Sequence, residues 1–486
     1  MGRPGTVTDD LFDPDRRKTL DRLRADGVDP YPPRAPVPTP IEKARGLVDA
    51  SEAPETTVAG RVVAHRPFGK LAFLVLQDRT GRMQAALRKQ DLDAKAWALY
   101  ERLDLGDLLA ARGKVGRTKT GEVTLFATGI VLLAKSLLPP PEKWHGLADA
   151  ELRTRLRYVD LWASEGVREV FEKRARLIRA IRAFLDGRGY VEVETPVFHA
   201  IAGGAAARPF TTHHNALDLD LHLRIALELP LKKLLVGGME RVYEIGRVFR
   251  NEGISKKHNP EFTMLESYEA YADYEGIARL VEEMFAEAAR AVVGGTEVPF
   301  RGRTVPFAPP FRRALYAELF REHAGFDLFD EKACRAKARG LGIPEAGRPP
   351  LVVANDLFEN LVEERLEGPV FVLDYPAEVC PLAKRKPSDP RFAERFELFV
   401  AGMELANAFT ELNDPLLQEA IFRAQVASRD EEAPREIDAD FLRALAHGMP
   451  PAGGLGVGID RLAMVLTDRP SIRDVILFPL LRPDRG

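Results

Sequence analysis

Arg247-Val248-Phe249-Arg250-Asn251-Glu252-Gly253 closes a strand-like run over 242–249 and opens a polar loop that passes through His258 and Asn259. Glu261-Phe262 then begins a second strand-like run, 261–271. Two such runs joined by a polar loop belong to a sheet. Working outward, further strand-like runs occupy 209–214 and 219–225, with one short helix near 226–236. Strands return at 369–374, 396–403 and near 406–412, and the stretch from about 312 to 366 reads as mainly helical. Upstream, Val167, Val170, Phe171, Leu177, Ile178, Ile181 and Phe184 form a stripe of helical period, which Gly187 and Gly189 stop. A strand at 191–193 follows and ends at Pro196. Strands linked mostly by short turns, with helices grouped elsewhere, predict an α+β fold built on an antiparallel sheet.

The N-terminal part has a different rhythm. Residues 15–27 read as a short helix with Leu20 and Leu23 on one side, and the Pro-rich 30–40 reads as an extended linker. Strand patterns then occupy 58–66, 71–77, 82–87, 107–115 and 122–133, with a helix over about 91–103. Five strands with a helix between the third and fourth are the order of an OB barrel, a fold that commonly holds single-stranded nucleic acid. Pro139-Pro140-Pro141 marks the next boundary. The expected division is 1–56 for the helix and linker, 57–140 for the barrel and 141–486 for the α+β domain.

Composition narrows the class. With 45% hydrophobic and 29% charged residues the chain is of globular type. No apolar run approaches the roughly 20 residues that span a bilayer, and the first ten residues lack the apolar stretch of a secretory signal. The two cysteines, Cys334 and Cys380, cannot form a disulfide framework and lack metal-site spacing. A cytoplasmic protein without membrane attachment is expected. The formal net charge is −3, yet residues 57–143 carry 15 Lys/Arg against 8 Asp/Glu, so this segment holds +7 and the remainder −10. A basic module on an acidic body suits a polyanion held mainly at one end.

Three segments carry the chemistry: 189–196 (Gly189-Tyr190-Val191-Glu192-Val193-Glu194-Thr195-Pro196), the Arg247–Gly253 segment with its loop, and Gly454-Leu455-Gly456-Val457-Gly458-Ile459-Asp460-Arg461 at the start of an apolar helix. In order and character they resemble motifs 1, 2 and 3 of the class II aminoacyl-tRNA synthetases. Such enzymes activate an amino acid by letting its carboxylate attack the α-phosphate of ATP. The nucleophile is already ionised, so the reaction needs charge neutralisation and in-line positioning rather than a general base. The resemblance implies that Arg250 clamps the α-phosphate and the amino-acid carboxylate, and that Arg461 holds the γ-phosphate. Gly456 and Gly458 would let the backbone approach, Phe262 would stack on adenine, and Glu252, His258 and Asn259 would help fix ATP. Glu397 and Glu404 would bind the Mg²⁺ that bridges the phosphates.

The resemblance extends over nearly the whole chain and becomes specific to the lysine enzymes in Gly203-Gly204-Ala205-Ala206-Ala207-Arg208-Pro209-Phe210, Thr212-His213-His214-Asn215-Ala216-Leu217-Asp218, Asn259-Pro260-Glu261-Phe262-Thr263-Met264 and Glu411-Leu412-Asn413-Asp414. It implies a lysine pocket in which Glu228 and Glu411 face the ε-ammonium and Tyr268 hydrogen-bonds beside them. Asn407 would hold the substrate's polar end, Phe409 would wall its methylene stem, and Gly204 would present backbone to the α-amino group. A buried ammonium needs opposite charge to offset its desolvation, whereas a pocket for aspartate would need a cation. In the barrel, Arg66, Phe73, Gln84 and Glu122 match anticodon-contacting positions, with bases lying on the aromatic ring while polar side chains read their edges. The implied partners are tRNA(Lys), ATP and L-lysine, with a homodimer formed through 167–196.

Competing readings remain at this level. Glu228 could pair internally with Arg224, Phe73 could be barrel core, Arg250 with Glu252 could be a surface ion pair, and Glu397 and Glu404 could be solvated acids on a sheet edge. A lysine ligase acting on a protein, a non-catalytic synthetase-like regulator, and the aspartate or asparagine enzymes are the rival functions. Pro230 is expected to distort the start of its helix. Ala406 and Ala408, where glycines are frequent, are expected to tighten the pocket floor, and Cys380 takes a usual serine position.

Overall fold

The computed structural model describes residues 11–49, 54–140, 147, 149–205, 207–427 and 436–483. Pro141 and Ala206 lie outside them. Two compact units result, Met1–Ala148 and Asp149–Gly486.

In the first unit, strands Glu55–Phe68, Leu71–Gln77, Arg82–Arg88, Leu108–Arg117 and Val123–Ala134 close into a barrel, with helix Ala94–Tyr100 between the third and fourth. Alternation along Leu71–Gln77 sends Ala72, Leu74 and Leu76 into the interior and leaves Phe73 and Val75 on the outside. Helix Pro14–Ala25 and the short helix Ile41–Arg45 deliver Leu23, Ile41 and Ala44 to the same core as Val58, Leu74, Leu109 and Leu125. The prolines between them run without regular structure.

Asp78 ties this assembly together. One carboxylate oxygen accepts from Ile41 N at 2.9 Å, and the other accepts from Thr80 N (2.6 Å), Gly81 N (3.0 Å) and the Thr80 hydroxyl (2.7 Å). Burial alone would raise the Asp78 carboxyl, but these hydrogen bonds outweigh it and hold it below the usual carboxylate value.

The second unit is built on an eight-stranded sheet. Its order is Arg312–Leu315, Val370–Pro376, Phe392–Val400, Met403–Thr410, Ala452–Gly458, Glu261–Ala270, Arg241–Phe249 and Val191–Glu192. The interior pairings are antiparallel, as expected, but both edge strands join in parallel. Residues 312–315 therefore correct the helical reading of 312–366; the helices there are Tyr316–Ala324, Glu331–Leu341 and Pro350–Leu361. Helices Val167–Asp186 and Tyr274–Val293 cover one face, where Leu177, Ile181, Val281 and Phe285 pack with Leu398, Leu455 and Val457. The glycine-alternating segment is a central strand, paired with Glu261–Ala270 on one side and Met403–Thr410 on the other. Among the described residues no helix is long and apolar enough to cross a membrane.

An acid-sensitive clamp at Asp78 has a measurable consequence. Asp78→Ala is expected to destabilise the barrel unit by about 1 kcal/mol at neutral pH, since half-buried amide donors lose their acceptor and solvent partly replaces it. Because the native carboxyl is held low, the contribution is present above the ordinary aspartate range and disappears as pH falls below it. Denaturant titration at pH 7 and pH 3 checks this: equal losses at both pH values contradict the account.

Candidate functional site

The uncovered face of the sheet gathers the polar residues. Along Glu261–Ala270 the alternation that buries Leu265 in the core places Phe262, Met264, Glu266 and Tyr268 on this side. Asn407 and Phe409 come from Met403–Thr410, with Glu411 immediately after it, while Arg395 and Glu397 come from Phe392–Val400. Glu397 lies opposite Asn407 in register. A break in register between Leu398 and Phe399 sets Phe399 against Glu404, so Leu405 and Ala406 both face the core. That bulge changes the phase of the strand and puts Glu404 on the same face as Glu397.

At one end of the face two buried acids meet. Glu228 starts the helix Glu228–Val236, and Lys232, one turn on, donates to its Oε1 at 2.5 Å. The same ammonium forms an ion pair with Glu411. Glu411 and Lys232 are fully buried and Glu228 nearly so. Burial pushes both carboxyls up and Lys232 opposes it; for Lys232 the two acids outweigh burial and hold the ammonium charged. Glu411 Oε1 keeps no hydrogen-bond partner among the described residues. It rests against Gly454, where a Cβ would stand 1.8 Å from that oxygen and 2.6 Å from the Tyr268 ring, so only glycine fits. Gly204, at φ +87°, faces the same end: a Cβ there would come within 3.1 Å of Ala226 and 3.3 Å of Glu228.

Glu266 occupies the middle. It accepts from Leu227 N at 2.8 Å and from the Tyr268 hydroxyl at 3.1 Å. Burial first, and the charge of Glu228 next, push its carboxyl up to about 7.

At the other end the cations converge. The Arg250 guanidinium lies 5.2 Å over the Phe262 ring, and its Nε donates to Ile225 O at 3.3 Å. Burial lowers its pKa, while Glu252, Glu404 and Glu266 support the charge and Arg461 opposes it. Arg461 donates to the Glu404 carbonyl at 2.9 Å, to its carboxylate at 3.1 Å and to His258 Nε2 at 3.1 Å. His258 is thereby an acceptor, and burial together with Arg461 keeps its pKa low. Asn259 is buried and donates to Glu261 O at 2.8 Å, bracing the loop. Glu397 pairs with Arg395 and accepts from the Tyr375 hydroxyl at 2.8 Å. Burial pushes its carboxyl up to about 7, with Glu404 adding to the rise. Glu363 behind them is pushed up to about 8 by burial and by Glu397, Glu359 and Glu404.

In the barrel unit, Arg66, Phe73, Gln84 and Glu122 line one cavity of about 910 Å³. Arg66 sits opposite Phe73 in register, and Gln84 donates to the Thr124 hydroxyl at 2.9 Å. Two further rings line it: Phe68, 6.0 Å from Phe73, and Phe126, with the Arg88 guanidinium 5.4 Å over it.

Residues 149–482 match the family model described as tRNA synthetases class II (D, K and N), more than half of the chain. The chain belongs to this family. As expected for a class II tRNA synthetase of that group, residues 56–133 also match the OB-fold nucleic acid binding domain. The chain is 53% identical to the Lysine–tRNA ligase of Moorella thermoacetica, over 96% of this chain and 97% of the relative. Against the Lysine–tRNA ligase of Pelotomaculum thermopropionicum the identity is 50%, over 96% and 94%. For that of Dehalococcoides mccartyi it is 48%, over 99% of each.

Several details of this class II synthetase differ from the sequence reading. Arg224 pairs with Glu244 at 2.6 Å, not with Glu228, whose internal partner is Lys232. Arg250 and Glu252 are no isolated surface pair, because Arg250 is packed on Phe262 among other charges. Glu397 is half-buried on an interior strand and paired with Arg395, rather than solvated at the sheet edge. Phe73 faces the cavity and is not barrel core. Pro230 lies in the first helical turn, where its missing N–H removes no intrahelical hydrogen bond, while the neighbouring Leu231 N–Leu227 O bond is long at 3.4 Å. Ala406 and Ala408 point into the core and leave the pocket floor unchanged. Cys380 is buried, and its sulfur accepts from Arg395 at 3.4 Å. Within the protein itself a Cβ at Gly458 would have Arg461 as its nearest neighbour, at 3.7 Å, whereas at Gly454 it would meet Glu411 at 1.8 Å.

Three site residues escaped the sequence reading although a signal existed. Glu266 shares the two-residue period of Phe262 and Tyr268, Lys232 stands four residues after Glu228 on the expected helix, and Arg395 stands two before Glu397.

Arg224 joins the end of the first motif to the second. It donates to Thr195 O (3.1 Å) and Arg247 O (2.8 Å), both half-buried, and to the buried Glu244 (2.6 Å). Arg224→Met is expected to destabilise this unit by about 3–5 kcal/mol, because Glu244 is left buried without its cation. Guanidinium unfolding of the variant measures it, and a loss below about 1 kcal/mol is incompatible with a buried pair.

Proposed function

We propose that this protein is a lysine–tRNA ligase that forms lysyl-adenylate from L-lysine and ATP, releasing pyrophosphate, and passes the lysyl group to the 3′-terminal adenosine of tRNA(Lys). The carrying observation is the pair Glu228 and Glu411, buried together at one end of the sheet face, with Glu411 Oε1 lacking a hydrogen-bond partner among the described residues. Within a family that activates aspartate, lysine or asparagine, two acids suit an ammonium and repel a carboxylate. The names of the relatives agree with that choice.

The chemistry follows from the arrangement. Lysine lies with its ε-ammonium at Glu228 and Glu411, its stem along Phe409, and its α-amino group toward Gly204 and Glu266. Asn407 bounds the pocket, and Tyr268 orients Glu266. The carboxylate then points at Arg250, which also takes the α-phosphate, while Phe262 meets the adenine. Arg461 takes the γ-phosphate with its direction set by Glu404 and His258, and Glu252 and Asn259 hold the loop around the nucleotide. Fixed guanidinium groups meet charge developing on the phosphates without having to reorganise.

Mg²⁺ is the implied cofactor, and Glu397 and Glu404 would hold it. Two hard carboxylates on one face, one of them raised to about 7 by burial and by its neighbour, are satisfied by a divalent cation. Mg²⁺ commonly takes one or two carboxylates and completes its shell with phosphates and water. When bound, the ion neutralises phosphate charge.

The barrel face would carry the anticodon, with Phe73 as a stacking platform and Arg66, Gln84 and Glu122 reading base edges. A protein-modifying ligase would have no use for this module, and the retained Arg250, Glu397, Glu404 and Arg461 argue against a non-catalytic regulator. Val191, exposed on the edge strand, supports a homodimer through 167–196, and the exposed Val197 and Phe198 follow directly after that segment. Two buried free cysteines fit a reducing cytoplasm.

ATP–pyrophosphate exchange across the standard amino acids tests the substrate. Lysine alone is expected to support it, and exchange with aspartate or asparagine in place of lysine would end the proposal. Phe73→Ala is expected to raise the KM for tRNA roughly 5- to 150-fold, the worth of one stacked base, with lysine-dependent exchange unchanged. A collapse of exchange in that variant would contradict the assignment of Phe73 to RNA.

A further inference from the structure

The amino-acid end of the site already contains a cation. Lys232 is fully buried, 2.5 Å from Glu228 Oε1, ion-paired with Glu411, and 5.4 Å from the Phe409 ring. Two acids therefore share one internal ammonium, and the oxygen left over, Glu411 Oε1, is buried and unpartnered. We infer that Lys232 is a positioning and specificity-determining residue, a permanent counter-ion that offsets one of the two acidic charges of Glu228 and Glu411 and holds both side chains in place, so that the pocket is left one positive charge short for the substrate's side chain to supply. This rests on the assignment of Glu228 and Glu411 to lysine binding.

Charge counting gives the reason. Two carboxylates this close in a dry environment cannot both stay ionised alone; one takes up a proton. A pocket in that state would have to shed its proton each time lysine arrived, and when doubly protonated it would accept a neutral side chain as readily. With Lys232 in place, lysine completes an alternating set of two ammonium and two carboxylate groups. A neutral side chain leaves one charge buried and unmet, which is the costly case.

Other charged groups border the trio and must be carried through any pH experiment. Glu266 and Tyr268 face it from strand Glu261–Ala270, Arg395 faces Glu228 from strand Phe392–Val400, and Arg250 faces Glu266. Burial, and then the charge of Glu228, push the Glu266 carboxyl up to about 7, so the informative quantity is the difference between variant and parent at each pH.

The experiment uses the full-length enzyme in lysine-dependent ATP–pyrophosphate exchange from pH 6.5 to 9, comparing the parent with Lys232→Met. A carboxyl lifted about one unit above the assay pH makes a proton compete roughly tenfold with lysine. Lys232→Met is thus expected to raise the KM for lysine about 10-fold or more at pH 7. The excess should shrink as pH rises, while the KM for ATP stays within about twofold of the parent. Discrimination against norleucine should weaken in the same variant.

A lower KM for lysine would mean that Lys232 competes for the substrate's place, and it overturns the inference. An unchanged KM with reduced thermal stability would make Lys232 a packing residue, and overturns it too. Should Lys232→Met fail to fold, the double variant Lys232→Met/Glu411→Gln removes one charge of each sign and is expected to fold; persistent unfolding would again mean packing alone. Glu411→Gln by itself separates the two levels. If it leaves the KM for lysine unchanged, the pocket assignment fails; if it raises the KM while Lys232→Met does not, only the role of Lys232 fails.

Discussion

Ionised side chains withdrawn from water must be surrounded by opposite charge, and the catalytic unit is organised around meeting that demand. Glu228 and Glu411 share Lys232, Glu244 takes Arg224, Glu397 takes Arg395, and Asp460 takes Arg174. The pairs Lys232–Glu411, Arg224–Glu244 and Arg174–Asp460 tie together elements distant in sequence, so the electrostatics of the site and the joining of the sheet are one problem. The exceptions are informative. Among the described residues Glu411 Oε1 is left without a partner, and Glu363 and Glu397 are pushed toward neutrality by burial, with acidic neighbours adding to it. These incompletely satisfied acids stand at the two ends of the site, where a bound ammonium and a bound metal–nucleotide would supply what the fold withholds.

The strand Ala452–Gly458 makes such density possible. Four of its seven residues are glycine, and it runs through the middle of the sheet between the strands that bear Glu266 and Asn407. A strand without side chains on the site face lets groups from both neighbours lean over it, and the contact of Glu411 with Gly454 is the clearest case. A glycine strand is weak by itself, so its order comes from pairing on both edges and from Leu455 and Val457 in the core.

Much of this was legible in the residues. The barrel strands, the pair around Arg250 and the helix bearing Glu228 follow from period and turn chemistry, which are local. The chemistry of Arg250, Arg461, Glu228 and Glu411 came from motif resemblance. Less accessible were contacts that depend on packing between distant segments. Nothing local distinguishes Arg224 bound to Glu244 from Arg224 bound to Glu228, and the parallel edge strand 312–315 is too short to reveal a period. Lys232, Glu266 and Arg395 were readable in principle from spacing, but a lysine beside an acid on a helix ordinarily signals a solvated face. Its burial was visible only in three dimensions.

The bulge at Leu405 has a consequence for how this chain can vary. Glu404 joins Glu397 on one face only because the strand carries one residue beyond regular pairing. Removing or adding a single residue between that point and Glu411 would invert which side chains look into the cleft and which into the interior. Over this span lineages can diverge by exchange of one amino acid for another, whereas gaps in length are closed to them, however conservative their chemistry.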